Sequence, residues 1–123
     1  MTGIEETFKS LRERNEAALI AYVTAGDPTP KDTPKIVDAL IEGGADIIEL
    51  GIPFSDPIAD GPTIQAASMR ALGAGTTPPT VLRIAKGIRE RHRTPIALMT
   101  YFNPIYRMGL EKFLAAASRS GVE

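Results

Sequence analysis

The 123-residue sequence contains no cysteine, one histidine and no long hydrophobic run. Without cysteine there are no disulfides and no thiolate metal sites, and the composition is compatible with the cytoplasm, where we expect the chain to reside. The longest apolar stretch, residues 17–23, is far too short to span a bilayer. The N-terminus MTGIEETFKS is acidic and lacks an apolar core, so it does not read as a signal peptide. Neither sign of charge is in excess: the formal net charge is -1 and acidic and basic residues are interspersed, which leaves no electrostatic footprint for nucleic acid or an anionic membrane. The only basic cluster, Arg89, Arg91, His92 and Arg93, reads as a solvated helix end. His92 follows a helix, away from the loops that collect chemistry, and is read as neither ligand nor base. No metal site is expected. There is also no glycine-rich phosphate loop.

What is present is the balance of an ordinary globular chain, 43% hydrophobic and 24% charged, with length for one small domain at most, residues 1–123. Its most informative stretch is DIIELGIPFSDPIADGP, from Asp46 to Pro62. Ile47 to Leu50 reads as a buried strand interrupted by one carboxylate, Glu49. Alternate side chains of a strand share a face, so Ile48 and Leu50 are expected to pack against helices while Ile47 and Glu49 face whatever the strand helps to enclose. A carboxylate there loses hydration and is tolerated only if paired, in a wet cavity, or put to use. Gly51, Pro53, Pro57, Gly61 and Pro62, with Ser55, Asp56 and Asp60, then mark an ordered, turn-rich loop. That loop brings back a second carboxylate, Asp60, at the end of a strand where α/β folds collect chemistry.

Along the chain, Ile4, Phe8 and Leu11 predict a short amphipathic helix through about Arg14. Leu19 to Thr24 reads as the first strand, with Tyr22 and Thr24 on one face, followed by a turn at Ala25 to Pro28. A helix with Ile36, Val37, Leu40 and Ile41 inward ends at Gly43-Gly44, and both Thr29-Pro30 and Thr33-Pro34 look like its start. After the Glu49 strand come a helix from Thr63 to about Leu72, with Ile64, Ala67, Ser68 and Ala71 on one face, and a helix restarting at Thr77-Pro78 with Val81, Ile84, Ala85 and Ile88 inward. Ile96 to Met99 reads as the third strand. The segment TYFNPIYRMG reads as a second rich loop, feeding a last helix with Leu110, Phe113, Leu114 and Ala117 inward. This order predicts consecutive right-handed βαβ units on a parallel sheet, with the functional face at the C-terminal ends of the strands.

The stretches AYVTAGDP, GADIIELGIPFSDPIADGPTIQ with the trailing helix to AGTTP, and MTYFNPIYRMGLEKF resemble the first three βα units of the tryptophan synthase alpha subunit family. The resemblance implies a (β/α)8 TIM barrel, here as three βα units with an N-terminal helix. It also implies an indole-3-glycerol-phosphate lyase of tryptophan biosynthesis, cleaving its substrate by a retro-aldol reaction to indole and glyceraldehyde 3-phosphate. Family members work in an alpha2beta2 heterotetramer with a beta subunit that holds pyridoxal phosphate, so no cofactor is expected on this chain. By the same resemblance Glu49 is the acid/base residue, and Asp60 takes the hydrogen bond from the ring N–H and stabilises the cation formed there. The chemistry fits both, because the cleavage needs a proton at ring carbon 3, a developing positive charge on the ring nitrogen, and removal of a proton from the side-chain hydroxyl. Tyr22, Thr24 and Tyr101 become candidates for contact with the indole ring. Pro53, Asp56, Asn103, Pro104 and Tyr106 become candidates for the beta-subunit interface.

Plainer readings of the same residues stay open at this level. Glu49 could be a strand-end carboxylate paired with a neighbouring Lys or Arg, and Asp60 a turn or helix N-terminal residue. Asp27 and Asp56 sit in Asp-Pro turns and are read as turn residues. Tyr22, Thr24 and Tyr101 could simply be core. A TIM barrel needs about 250 residues and commonly holds phosphate on its seventh and eighth loops. The sequence is therefore read as the N-terminal part of a longer product, inactive or nearly so alone, whose two unpaired sheet edges favour self-association. The alternatives are a non-catalytic partial barrel that binds a beta-type partner, and another barrel enzyme acting on a sugar phosphate.

Overall fold

The computed structural model describes residues 3–123. Helix α1 (Gly3–Glu13) precedes three βα units. The first is strand β1 (Ile20–Thr24) with helix α2 (Thr33–Glu42), and the second is β2 (Ile47–Gly51) with α3 (Pro62–Gly73) and α4 (Pro78–Arg91). The third is β3 (Ile96–Met99) with α5 (Phe102–Met108) and α6 (Leu110–Arg119). The strands form one parallel sheet in the order β1-β2-β3, as βα connections dictate.

The helix boundaries follow local chemistry. Of the two candidate starts for α2 the second is used, but as the first helical turn: Asp32 is the N-cap, Thr33 and Pro34 follow it, and the Thr33 hydroxyl accepts the N–H of Gly26 (2.8 Å). Pro62 opens α3, and α4 starts with a capping box in which Thr77 and Thr80 satisfy each other's backbone N–H groups. The segment expected to be an irregular loop after β3 contains α5. Pro104 falls in the first turn of that helix, where its missing N–H has no intrahelical partner to lose.

Register decides what each face of the sheet carries. Tyr22 pairs with Glu49, and Glu49 with Ala97; Thr24 pairs with Gly51, and Gly51 with Met99. Paired residues in a parallel ladder share a face, so Tyr22, Thr24, Ile47, Glu49, Gly51, Ala97 and Met99 lie on one side. The other side carries Ile48, Leu50 and Ile96, all fully buried, and packs on Val37 of α2 and Val81, Ala85 and Ile88 of α4. Burying aliphatic side chains of this kind contributes about 1.5–3 kcal/mol each. Helix α6 adds Phe113 and Ala117 to that core, while Leu110 and Leu114, expected inward, are more than half exposed. In α1 only Leu11 is buried. Among the described residues no helix is long and apolar enough to cross a membrane.

Candidate functional site

Glu49 sits mid-strand on the face opposite the helix-packed core, half-buried, with the Tyr22 ring beside it across the ladder. Among the described residues it has no hydrogen bond and no ion pair, so the expected alternative of a structural Lys or Arg partner is not realised. Asp60 ends the loop after β2. Its N–H bonds the carbonyl of Pro57 (3.0 Å), and Gln65 reaches back to its carbonyl (2.7 Å). Its carboxylate does not cap α3, whose N-cap is Gly61 without a side-chain cap. It accepts instead from the hydroxyl of Tyr101 (3.1 Å), just beyond β3.

These elements meet in a hollow of about 240 Å³ at the C-terminal end of the sheet, lined by Tyr22, Phe54, Asp60, Ser68 and Tyr101 together with Ile52, Ala59, Met99 and Thr100. Tyr22 links the two carboxylates electrostatically. Burial pushes its phenol above the usual range; a hydrogen bond with the Thr24 hydroxyl (3.3 Å) pulls the other way, and the charges of Asp60 and Glu49, with Tyr101, push it further up. Glu49 shares the Tyr22 face of the sheet but does not itself line the hollow, whereas Asp60 does. The Tyr22 ring lies over Gly51, where a Cβ would meet its hydroxyl and stand 2.7 Å from Cζ. Thr24 is buried, engages Tyr22 and does not line the hollow.

Sequence reasoning overlooked Phe54 and Gly51. The Phe54 ring packs on Tyr101 with centroids 5.2 Å apart, and the only signal for it was an aromatic residue in a turn-rich loop. In the sequence Gly51 reads as punctuation, whereas the close approach of Tyr22 is a reason for glycine there.

A second, larger groove of about 810 Å³ lies beside the hollow. Pro53, Asp56, Asn103 and Pro104 line it with Phe54, Thr76 and Arg107. Four of the five interface candidates thus share one surface, although Pro53 is itself buried. The fifth, Tyr106, lies outside the groove lining, largely exposed, with its ring 6.1 Å from that of Phe102. Asp56 holds a local turn, accepting from the Ser55 hydroxyl (2.9 Å).

Two further carboxylates, Asp27 and Asp38, tie elements of the fold together. Asp27, in the turn after β1, accepts a two-pronged bond from Arg70 of α3 (2.7 and 2.9 Å), which raises the guanidinium above its ordinary value. The adjoining Gly26, at φ 92°, is covered by the side chain of Thr76. Arg91 and His92 both bond Asp38 of α2 (3.0 and 2.7 Å) and hold its carboxyl below the usual carboxylate range. Among the described residues no group of three or more His, Asp or Glu side chains could hold a metal.

A family profile described as tryptophan synthase alpha chain matches residues 8–123. The tryptophan synthase alpha chain of Solibacter usitatus is 56% identical over 123 residues, covering 100% of this chain and 46% of that protein. That of Klebsiella pneumoniae is 50% identical over 124 residues, with 100% and 46% covered. Among solved structures, tryptophan synthase subunit alpha from Legionella pneumophila superposes with a TM-score of 0.98 at 40% identity, over 100% of this chain and 47% of that one. A mutant alpha-subunit from the hyperthermophile Pyrococcus furiosus gives 0.83 at 54% identity, over 86% and 43%. The chain spans about half the length of the curated relatives it matches.

Proposed function

The chain belongs to the tryptophan synthase alpha chain family, a lyase family of tryptophan biosynthesis with a TIM-barrel fold, and from that premise we propose that it supplies the two working carboxylates of indole-3-glycerol-phosphate cleavage. The single observation that carries the proposal is geometric: Asp60 and Tyr22 line one hollow at the C-terminal end of the sheet, and Glu49 pairs with Tyr22 on the sheet face beneath it.

Glu49, fixed on a strand and without a counter-ion among the described residues, delivers a proton to ring carbon 3 and then takes the proton of the side-chain hydroxyl. As the carbon-carbon bond breaks, its electrons return to the ring, leaving indole and an aldehyde. Asp60 accepts the hydrogen bond of the ring N–H and offsets the positive charge that builds on that nitrogen, an effect greatest in the transition state. Tyr22 and Tyr101 flank the ring. This chemistry takes no cofactor from the chain; the groove of Pro53, Asp56, Asn103 and Pro104, with Tyr106 nearby, is the proposed seat of a beta subunit carrying pyridoxal phosphate in an alpha2beta2 assembly. Because the chain spans about half the length of its relatives, the proposal assigns it the carboxylates and not the grip on phosphate.

The test is indole release from indole-3-glycerol phosphate by the full-length gene product that carries these residues, with and without a tryptophan synthase beta subunit. Glu49→Gln is expected to abolish release, and Asp60→Asn to lower kcat roughly 100-fold or more, the usual effect of removing one preorganised stabiliser of developing charge. Retention of activity by Glu49→Gln would overturn the assignment.

A further inference from the structure

Tyr101 does more than border the hollow. A phenol has one hydrogen to donate, and that of Tyr101 goes to Asp60 Oδ2 at 3.1 Å. Its oxygen meanwhile accepts the N–H of Ala59 at 3.0 Å. Its ring packs at 5.2 Å, tilted by 33°, on Phe54, near the other end of the same loop. One side chain, rooted at the N-cap of α5 immediately after β3, therefore holds the loop between Phe54 and Asp60 at both ends. With its donor committed, the hydroxyl has none left for a ligand. Asp60 Oδ1, in contrast, accepts no hydrogen bond among the described residues.

We propose that Tyr101 is a positioning residue for Asp60: it fixes Oδ2 and the adjoining backbone so that Oδ1 stays open to a ring N–H donor, and its hydroxyl makes no substrate contact of its own. This inference rests on the proposed reaction. To the flanking of the indole ring by the Tyr101 ring it adds a role of the hydroxyl, exerted through the carboxylate.

Tyr101→Phe keeps the ring against Phe54 and removes both polar bonds. In the full-length gene product assayed with a beta subunit, kcat for indole release should fall roughly tenfold, the scale of one hydrogen bond to a charged group, with KM nearly unchanged. Combined with Asp60→Asn, the substitution should add little further loss, because both act on one group. Independently of activity, hydrogen exchange at the Ala59 amide should accelerate roughly tenfold while amides of β2 keep their protection, which also checks that the variant is folded. A rise in KM at constant kcat would make Tyr101 a substrate contact and overturn the proposal, as would full additivity with Asp60→Asn or unchanged exchange at Ala59. Should Tyr101→Phe not fold, Asp60→Asn probes the same bond from its other end: the neutral amide is a weaker acceptor, so faster Ala59 exchange supports the clamp and unchanged exchange overturns it. Failure of the wild-type protein to release indole would remove the reaction reading, and with it the kinetic half of this proposal, while exchange at Ala59 still decides whether the clamp exists.

Discussion

Replacing Gly51 by alanine should unseat Tyr22. The added methyl would meet the Tyr22 hydroxyl and lie 2.7 Å from Cζ and 3.0 Å from Cε2, so the whole ring must turn away. Gly51 is buried at the end of β2 and pairs with Thr24 on one side and Met99 on the other, which prevents the backbone from yielding instead. Overpacking of this kind costs about 1–3 kcal/mol. Alanine also stiffens the unfolded chain, which returns about 0.4–1 kcal/mol where its native backbone is unstrained. The net expectation is a loss of up to about 2.6 kcal/mol, centred on about 1.3, read as a lower urea midpoint at constant m-value in circular dichroism. Activity should fall by more than stability implies, since the displaced ring must vacate or block the space beside Glu49 and Asp60. The double variant Gly51→Ala with Tyr22→Ala separates the causes: once the ring is gone, adding the methyl should no longer destabilise. If Gly51→Ala costs as much in the Tyr22→Ala background as in the wild type, the clash is not the reason for glycine at this position.

Tyrosinate absorbance provides a second check, because the sequence has three tyrosines and no tryptophan. Tyr22 should ionise above the usual phenol range, and Glu49→Gln and Asp60→Asn should each move its transition down; an unmoved transition in both would contradict the placement of Tyr22 beside both carboxylates. Because the fold favours the protonated phenol, its contribution to stability is complete below the unfolded value of about 10 and is lost as pH rises through the higher folded value. Asp38 has the opposite sign. Its carboxyl is depressed in the fold, so its contribution is present above about pH 3.9 and disappears as pH falls through the lower folded value. Asp38→Asn should cost no more than about 0–1 kcal/mol at neutral pH, given its exposure, and should flatten the acid limb of stability against pH. Ile48→Ala, at a fully buried position, should cost about 2–5 kcal/mol in urea unfolding, and a loss under 1 would contradict the assigned core.

The elements that could be read from the sequence were those whose local chemistry and tertiary role agree. Strand β2, with its period-two split between Ile48/Leu50 and Ile47/Glu49, and helix α4, with Val81, Ile84, Ala85 and Ile88 on one face, carry the same pattern in sequence and in packing. Helix α5 escaped detection because it is only seven residues long, buries none of them fully and has proline in its first turn, so it produces no apolar stripe. Leu110 and Leu114 misled for a different reason. They extend the apolar face of α6 beyond the edge that meets the core, and periodicity does not report how much of a face finds a neighbour. At the site, the two carboxylates were legible as the costly residues of a greasy strand and a turn-rich loop. The contacts of Tyr101 were not, since its partners lie 41 and 42 positions away and no local pattern encodes them.

The fork between Arg70 and Asp27 has a mechanical consequence. Helix α3 starts two residues after Asp60, and in its last turn Arg70 forks onto the turn that follows β1, which ties the far end of the helix to that turn and resists its swinging with the segment in front of it. A travelling Asp60 must therefore take up its motion within residues 53–59, or haul the first turn of the fold along as a lever, coupling the neighbourhood of Gly26 and Thr76 to whatever arrives beside Tyr22.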